Sequence, residues 1–480
     1  MSGSVSKKTA SGMRQLLPLP YGALGRARRD PLGFLMDGWR EHGDVFRYRL
    51  GPLVFHLVAH PDHVKHVLLD NAKNYPRSWY YGRIKVVVGD GLVTTEGAPW
   101  RRLRRMVQPS FHHEKVMALA GVMTNAIEAM RVRWGEHATD GRPVNVEHEF
   151  MELTLRIVGR ALLSIDLGGK FDRIGPALTT CLAFGEHRVN NLLGMPVSVP
   201  TPRNLRYRKA VRAIDEIVYA IIADRRRTPG KETGDLLSLL MAVRDDETGE
   251  GLSDRELRDQ LFTFIAAGHE TTAVALTWTI YLLSQHPEAA ARLAGEIAEV
   301  LGQRTPTADD LPRLAYTRRV IEESLRLYPP VFALIRDAQE DDEIGGYHIP
   351  ARSTVILSPY VTQRHPGVWP DPATFDPDRF LPDRSAGRSR FAWLPFLGGA
   401  HRCIGQKFAM MEAVLVVAML AQSYRFRLAP GAVVEPGPVL SLRPRFGMSM
   451  TSYPTVQDSD KSVPIRDDAT AGHPGRGFAS

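Results

Sequence analysis

The sequence predicts a mainly α-helical protein with a small β region. Apolar residues recur at helical spacing along most of the 480-residue chain, and strand-like runs occur in only two places. One apolar helix is also long enough to run through the centre of a large core. With 44% hydrophobic and 24% charged residues, the chain has the composition of a globular protein.

The two strand-like regions both contain turn signals. Near the start, GDVFRYRLGPLVFHLVAH holds two apolar runs that flank Gly51 and Pro52. Further on, DDEIGGYHIPARSTVILSPY holds Gly345 and Gly346, which are typical of a hairpin turn. These runs predict the small β region.

The longest apolar helix is expected to begin at Ser253, which forms a capping box with Glu256, and to end at Pro287. Its centre, LFTFIAAGHETTAVALTWTIYLL, has the length of a membrane span. His269 and Glu270 would then lie near the middle of the bilayer, which is costly. A buried central helix with a polar functional notch explains the pattern better.

The domain organisation is predicted to be simple, because no repeat of roughly 20–50 residues divides the chain. We expect a flexible N-terminus over residues 1–16, one folded domain over 17–453 and a flexible C-terminal tail over 454–480. The tail is polar and rich in proline and glycine, which is typical of segments that do not pack.

Charge and cysteine content limit the environment and the partners. The net charge of +8 is compatible with nucleic acid, an acidic surface or an acidic protein partner. The only two cysteines, Cys181 and Cys403, are too few and too distant for a disulfide framework, which favours a reducing compartment or a cysteine used for chemistry. The N-terminal residues contain no apolar run that resembles a signal peptide or an anchor. The sequence therefore predicts a cytoplasmic protein with no stable membrane anchor.

Cys403 lies in a loop, PFLGGAHRCIG, directly before a helical run. The helix dipole and the free N–H groups at a helix N-terminus stabilise a thiolate, and the glycines allow the backbone to approach a bulky group closely. On this loop alone, an ordinary buried cysteine is equally plausible. Zinc is disfavoured because no second cysteine is near. A nucleophile with His401 as its base lacks any hydrolase signature.

The loop FLGGAHRCIG resembles the haem-binding loop of the cytochrome P450 family. A phenylalanine, a glycine, a basic residue, the cysteine and a second glycine stand there at fixed spacing. The matching residues are Phe396, Gly399, His401, Cys403 and Gly405, with histidine where arginine is commoner.

Three further stretches resemble family motifs in the required order. AGHETT, residues 267–272, resembles the oxygen-activating motif, and ESLR, residues 323–326, resembles the Glu-x-x-Arg helix. PDRF, residues 377–380, resembles the segment whose arginine joins that pair. The resemblance covers about residues 17–453, and it implies that Glu323, Arg326 and Arg379 form a structural ion network. Cys181 is interpreted as a small buried hydrophobic residue.

The resemblance implies a cytochrome P450 fold with a haem b (iron protoporphyrin IX), a long central helix over the haem and the cysteine loop beneath it. Cys403 would be the metal ligand, because a thiolate donates electron density to the iron. Trp100 and Arg104 lie four residues apart on one helix face, from which they would reach a propionate. The implied cofactor-binding residues are Trp100, Arg104, Ala267, Gly268, Arg336, Phe396, His401, Cys403 and Gly405.

Glu270 and Thr271 are the implied catalytic residues. Glu270 would relay protons towards dioxygen, and Thr271 would hold the water that passes them on. Thr271 can also bond back to the carbonyl of Ala267, which would open or bend the helix locally. Gly268 would remove a side chain where the helix passes over the iron. A structural alternative is that Glu270 and Thr271 only satisfy helix carbonyls and a buried ion pair.

The predicted function is a monooxygenase that uses O2 and two electrons to hydroxylate or epoxidise a lipophilic small molecule. Terpenoid, fatty-acid-like and polyketide or macrolactam skeletons are all possible substrates. A peroxide-driven haem-thiolate peroxygenase and a non-catalytic haem-binding sensor are alternatives, and the Glu270–Thr271 pair disfavours both. The implied substrate-facing positions are residues 75–88, 184–202, Phe262, Ala266, 331–334 and 440–442.

The electron donors are expected to be a separate ferredoxin and ferredoxin reductase, because no flavin- or iron–sulfur-binding segment follows the domain in this sequence. By resemblance, five basic residues lie near the cysteine side of the haem and favour an acidic ferredoxin. These are Arg101, Arg102, Arg105, Arg402 and Lys407. The arginine run thereby accounts for the basic charge without nucleic acid.

Overall fold

The computed structural model describes residues 8–9, 11–12, 22–50, 53–164, 168–191, 195–227, 235–245 and 247–455. Helices dominate these residues, and the strands form small sheets, which confirms the predicted fold class. The helices are α1 Gly22–Arg29, α2 Pro31–His42, α3 Pro61–Lys65, α4 Tyr81–Val88, α5 Gly97–Val107, α6 His113–Met117, α7 Ala120–Asp140, α8 Val146–Leu163, α9 Gly168–Asn190, α10 Pro202–Arg227, α11 Leu236–Ala242, α12 Asp254–Gln285, α13 Pro287–Leu301, α14 Ala315–Leu327, α15 Pro359–Thr362, α16 Pro382–Ser385 and α17 Gln406–Ser423.

The strands form one five-stranded sheet and three smaller ones. They are β1 Lys8–Thr9, β2 Ser11–Gly12, β3 Val45–Leu50, β4 Leu53–Val58, β5 Val144–Asn145, β6 Leu334–Asp337, β7 Asp342–Ile344, β8 Tyr347–Ile349, β9 Thr354–Leu357, β10 Tyr424–Leu428, β11 Pro436–Pro438, β12 Leu442–Pro444 and β13 Ser449–Pro454. The largest sheet has the order β2-β3-β4-β9-β6, and the others are β1-β8-β7, β10-β13-β5 and β11-β12. Both predicted strand regions are confirmed: β3 pairs antiparallel with β4, and β7 with β8. Gly51 and Pro52 lie outside the described residues.

Helix α12 is the buried spine of the protein. The Ser253 side chain accepts from the Glu256 N–H, and the Glu256 carboxylate accepts from the Ser253 N–H, so the predicted capping box is present. The helix ends at Gln285, directly before His286 and Pro287, as predicted. Its buried residues belong to two hydrophobic clusters, one shared with α7, α8, α14 and α17 and the other with α5, α9, α10 and α11.

The Glu-x-x-Arg pair lies on α14 and joins this core to the segment before the cysteine loop. Arg326 donates to Glu323 through Nε at 2.7 Å and Nη2 at 2.8 Å, and both side chains are fully buried. Arg379 lies in a single 3₁₀ turn, Pro377–Phe380, with its Nε 3.4 Å from Glu323 Oε1. The predicted ion network is therefore formed in the fold.

The proposed boundaries at residues 17 and 453 stay a prediction, because most residues of the two end segments lie outside the described ranges. None of the helices that the structure describes combines the length and the apolarity needed to cross a bilayer.

Candidate functional site

The middle of α12 contains an exposed position inside an otherwise buried helix. Ala267 is exposed and Ala266 and Thr271 are half-buried, whereas the residues on either side of this notch are buried. The Thr271 hydroxyl donates to the Ala267 carbonyl at 2.7 Å. Because exposed small residues in a core helix face a space that the protein does not fill, the notch marks one wall of an internal site.

The hydrogen bond of Thr271 is one of the two arrangements that the sequence allowed. It does not interrupt the helix, which runs continuously from Asp254 to Gln285, so the expected local opening is not seen. The expected role of Gly268, which is to remove a side chain where the helix passes over the iron, stays a prediction. A Cβ on Gly268 would lie 3.2 Å from Val158 Cγ2 of α8, so this glycine allows two helices to pack closely.

Glu270 follows the notch and points into a polar contact that the sequence analysis missed. The Ser441 hydroxyl donates to Glu270 Oε1 at 2.5 Å, and both residues are buried. The two residues are 171 positions apart, so no local pattern could have predicted the contact. Ser441 lies between β11 and β12, in a segment that the sequence assigned to substrate.

The remaining predicted substrate positions differ in their burial. Phe262 is 1% exposed and lies in the core, where the guanidinium of Arg258 is 5.1 Å from its ring centroid. Leu442 is fully buried, and its carbonyl accepts from Trp278 Nε1 at 2.6 Å. Ala266, residues 331–333 and Leu440 are half-buried and remain available. Residues 192–194 lie outside the described part of the chain.

The cysteine loop is held by its own backbone. The Cys403 N–H donates to the Phe396 carbonyl at 2.9 Å. Gly399 has a φ of +68°, and a Cβ there would lie 2.0 Å from the Leu68 carbonyl oxygen, so only glycine fits. Leu397 also has a positive φ of 62°. A leucine held in this conformation stores strain, which clusters at functional sites.

The Cys403 side chain is exposed, yet burial raises the pKa of its thiol. The surrounding protein thus disfavours the free thiolate. The Gly405 N–H, Arg104 and Arg402 act in the opposite direction and lower this pKa. These groups stabilise the thiolate once a cation replaces the proton.

Trp100, Arg104 and His401, three of the predicted cofactor-binding residues, meet at this loop. The rings of Trp100 and His401 are 4.1 Å apart, and Arg104 Nη1 donates to the Arg402 carbonyl at 3.1 Å. His401 Nε2 lies 3.2 Å from Glu96 Oε1. Burial alone would raise the pKa of Glu96, but the hydrogen bond from His401 and two backbone N–H groups hold it at about 2.

Two arginines, of which Arg336 is buried and Arg77 is half-buried, stand next to this group. Arg336 is 3% exposed, and the one hydrogen bond described for its side chain goes to the Ile335 carbonyl at 3.3 Å. Arg77 pairs with Arg336 through an isolated β-bridge and donates to the Thr95 carbonyl. Burial lowers the pKa of Arg77 to about 10, and the charge of Arg336 also lowers it. Arg77 lies in the segment 75–88 that was predicted to face the substrate, but its pairing with Arg336, 259 residues away, was not predicted.

The residues therefore fit a thiolate-bound haem. Cations converge around a single nearby carboxylate, Glu96, and His401 Nδ1 is buried with no partner among the described residues. A buried cation or ring nitrogen without a partner is costly, so the group favours an anionic ligand such as a propionate. The exposed sulfur of Cys403 is of the chemical kind that would ligate the iron of such a group.

The predicted docking residues divide into two kinds. Arg105 pairs with Asp245 at 2.9 Å and Glu247 at 2.8 Å, and Arg102 pairs with Glu256 at 2.7 Å. Arg402 donates to the Gln406 amide oxygen. Arg101 and Lys407 are exposed, and the described residues include no hydrogen bond or ion pair for either. The free positive charge is thus smaller than the sequence suggested.

Comparisons with known proteins agree with this arrangement. The family model described as cytochrome P450 matches residues 16–449. Cyclooctatin synthase of Streptomyces melanosporofaciens is 41% identical over 428 residues, which cover 89% of this chain and 92% of that protein. Cyclooctat-9-en-7-ol 5-monooxygenase of the same organism is 38% identical, with 85% and 87% covered. Pentalenene oxygenase of Streptomyces avermitilis is 37% identical, with 85% and 89% covered.

A solved structure has the same fold. The crystal structure of the cytochrome P450DA heme domain superposes with a TM-score of 0.85 at 25% identity. The alignment covers 93% of this chain and 98% of that chain.

Proposed function

This chain belongs to the cytochrome P450 family and is a haem b monooxygenase of that family, and from this premise we propose that it oxygenates a terpenoid. The proposal is supported by the oxygenases of Streptomyces that it resembles, whose names refer to cyclooctat-9-en-7-ol and pentalenene. The notch on α12 presents the small apolar side chains of half-buried Ala266 and exposed Ala267, which suits a compact hydrocarbon skeleton.

We assign the haem to the space between the α12 notch and the cysteine loop. Cys403 would ligate the iron, and Trp100, Arg104, Arg336 and His401 would hold the propionates. When bound, the haem supplies the reductive activation of O2 and the insertion of one oxygen atom into the substrate. The other oxygen atom leaves as water, so each turnover takes two electrons and two protons.

Glu270 and Thr271 would deliver those protons. In the structure the Thr271 hydroxyl donates to the Ala267 carbonyl. It can accept a hydrogen bond from a water in this state, but it must give up the bond to Ala267 to donate to that water. Glu270 is the one acid next to it in the chain, and Ser441 already fixes one of its oxygens. The two side chains together would carry a proton from the protein interior to that water.

Electrons would come from a separate ferredoxin and its reductase. The surface around the cysteine loop carries the exposed cations Arg101 and Lys407, and an acidic protein would be attracted to it. The charges of Arg102 and Arg105 are compensated within the chain and would contribute less.

The experiment supplies NADPH, a ferredoxin and a ferredoxin reductase to the purified holoenzyme. Cyclooctat-9-en-7-ol and pentalenene are compared with a long-chain fatty acid as a control of another lipid class. We expect a terpenoid to shift the spin state of the haem and to give a product with one oxygen atom from ¹⁸O₂. A fatty acid that binds better, or product formed only with added peroxide, would contradict the proposal.

The ligand assignment has its own spectroscopic test. The reduced protein with carbon monoxide should show the red-shifted Soret band of a thiolate haem, and Cys403→His should move it to a histidine-like position. An unchanged band in the variant would exclude Cys403 as the ligand.

A further inference from the structure

Ser441 belongs to a polar cluster that leads from Glu270 towards the protein surface. Arg443, two residues beyond Ser441 and on β12, is half-exposed. Its Nη2 lies 3.3 Å from Glu186 Oε2 of α9, and the two side chains are 39% and 30% exposed. Glu147, in the first turn of α8, is the third carboxylate of the cluster and is also half-buried.

These groups are close enough for their charges to act on one another. Burial raises the pKa of Glu147 and of Glu186, Arg443 lowers both, and the charge of Glu270 raises both again. His148 also lowers the pKa of Glu147. Glu147 and Glu186 thus share mainly one arginine, Arg443, and burial makes both retain a proton more readily than isolated surface carboxylates do.

We propose that Arg443, Glu186 and Glu147 form the inlet through which solvent protons reach Glu270, and that Ser441 is the positioning residue that holds Glu270 at its inner end. The inlet returns one proton to Glu270 for each proton that Glu270 gives up, and no electrons move. The inference rests on the proposed relay role of Glu270 and extends it outward to the surface.

The order of burial along the cluster fits this direction. Glu270 and Ser441 are buried, whereas Arg443, Glu186 and Glu147 are each partly exposed. A buried acid that donates protons in every turnover must be recharged, and an apolar substrate cannot recharge it. Ser441 bonds Oε1 of Glu270, and no hydrogen bond to Oε2 is formed by the residues that the structure describes, so Oε2 would be the oxygen that transfers the proton.

The first test is infrared spectroscopy of the holoenzyme without substrate. The carboxyl band of Glu270 is identified as the band lost in Glu270→Gln. We expect it to move in Ser441→Ala and in the double variant Glu147→Gln/Glu186→Gln. The matched control is Glu149→Gln, which removes a second acid from the same helix turn, where Glu149 pairs with Arg133 at 3.2 Å. The control should leave the band in place, and a band that moves in neither test variant overturns the proposal.

The second test is turnover with NADPH, ferredoxin, ferredoxin reductase and cyclooctat-9-en-7-ol. Product per NADPH should fall about tenfold in the double variant, below the roughly 10²–10⁴-fold of a lost general acid, and hydrogen peroxide should account for the difference. The solvent isotope effect on product formation should rise, a change that a purely structural role would not cause. If product per NADPH stays at the parental value in both Ser441→Ala and the double variant, the inlet is overturned.

The two proposals fail in different ways. If product per NADPH falls in Glu270→Gln but not in the double variant, the inlet is wrong and the relay stands. If Glu270→Gln keeps its coupling, the relay itself is wrong. If no terpenoid binds, the infrared measurement still decides the inlet.

Discussion

Arg326 and Arg336 are both buried arginines, yet their surroundings differ sharply. Arg326 is fully buried and donates two hydrogen bonds to Glu323 and three to the carbonyls of Gln363, Pro372 and Thr374. Arg336 is 3% exposed, and the structure describes one hydrogen bond from its side chain, to the carbonyl of its neighbour Ile335.

The difference separates a structural charge from a binding charge. A buried guanidinium has five N–H donors, and leaving them unsatisfied is costly. The fold satisfies Arg326 completely, so this side chain has no capacity left for a ligand. Most donors of Arg336 have no described partner in the fold, and the half-buried cation Arg77 lies next to it, so a propionate would satisfy both.

The largest expected effect is on Arg326. Removing it in Arg326→Leu would leave Glu323 as an uncompensated buried charge, which costs about 3–5 kcal/mol. We expect the free energy of unfolding, measured by denaturant titration, to fall by that amount, or the protein to fail to accumulate folded. The surface variant Arg318→Leu, which breaks an exposed pair with Glu322 on the same helix, is the matched control. If both variants lost the same free energy of unfolding, the structural role assigned to Arg326 would be wrong.

Arg336→Leu should behave in the opposite way. Haem dissociation, followed as transfer to a haem-free globin, should accelerate roughly 10–100-fold, because a hydrogen bond to a charged group contributes about 1.5–3 kcal/mol. The haem-free protein should be as stable as the parent or more so, because the repulsion between Arg336 and Arg77 is removed. Arg336→Lys, which keeps the charge, should recover part of the haem affinity. If haem-free Arg336→Leu were destabilised as strongly as Arg326→Leu, both arginines would have a structural role and the distinction would be wrong.

The comparison also shows what the sequence can and cannot predict. The Glu323–Arg326 pair is local, three residues apart on one helix, and its motif spacing predicted it. The same holds for the capping box of Ser253 and for the cysteine at the start of α17. These features depend on neighbours along the chain, which periodicity and spacing record.

The missed features all depend on contacts between distant segments. Ser441 reaches Glu270 only because the β11–β12 turn packs against α12, and Arg77 meets Arg336 only through an isolated bridge. The close approach of Gly268 to Val158 of α8 was likewise not predicted. Local patterns do not specify such partners, so the fold class was predictable and the second layer of the site was not.

Glu412 is a buried ionisable group of a third kind. It lies on α17, fully buried, and neither carboxylate oxygen has a partner among the described residues. Burial raises its pKa well above the usual value. A carboxyl whose pKa is higher in the folded state stabilises the protein least at high pH, so its contribution is lost as pH rises above about 4.3, the unfolded value.

We therefore expect Glu412→Gln to gain stability relative to the parent as pH increases. Unfolding by denaturant at pH 5 and pH 8 measures this. The free energy of unfolding of the variant, relative to that of the parent, should be higher at pH 8 than at pH 5. The effect should be smaller than that of Arg326→Leu. A constant difference between variant and parent across this range would show that Glu412 has a partner that satisfies its charge.

The smallest effect concerns the surface, where the same distinction separates Arg105 from Arg101 and Lys407. Arg105 is held by Asp245 and Glu247, whereas Arg101 and Lys407 have no described partner. An incoming acidic ferredoxin responds to net local charge, and a charge compensated within the protein contributes little to that field. The double variant Arg101→Glu/Lys407→Glu should slow reduction by ferredoxin several-fold at low salt, the scale of exposed charges worth about 0–1 kcal/mol each.

Arg105→Gln is the matched variant and should slow reduction less. Stopped-flow reduction at low and high salt measures both, and the difference between the variants should vanish at high salt, because added ions screen exposed charges within about 10 Å at 0.1 M. Substrate affinity should stay at the parental value in each case. If Arg105→Gln slows reduction as much as the double variant, then pairing within the protein does not remove a charge from the docking surface, and the distinction drawn from Arg326 and Arg336 would not extend to the surface.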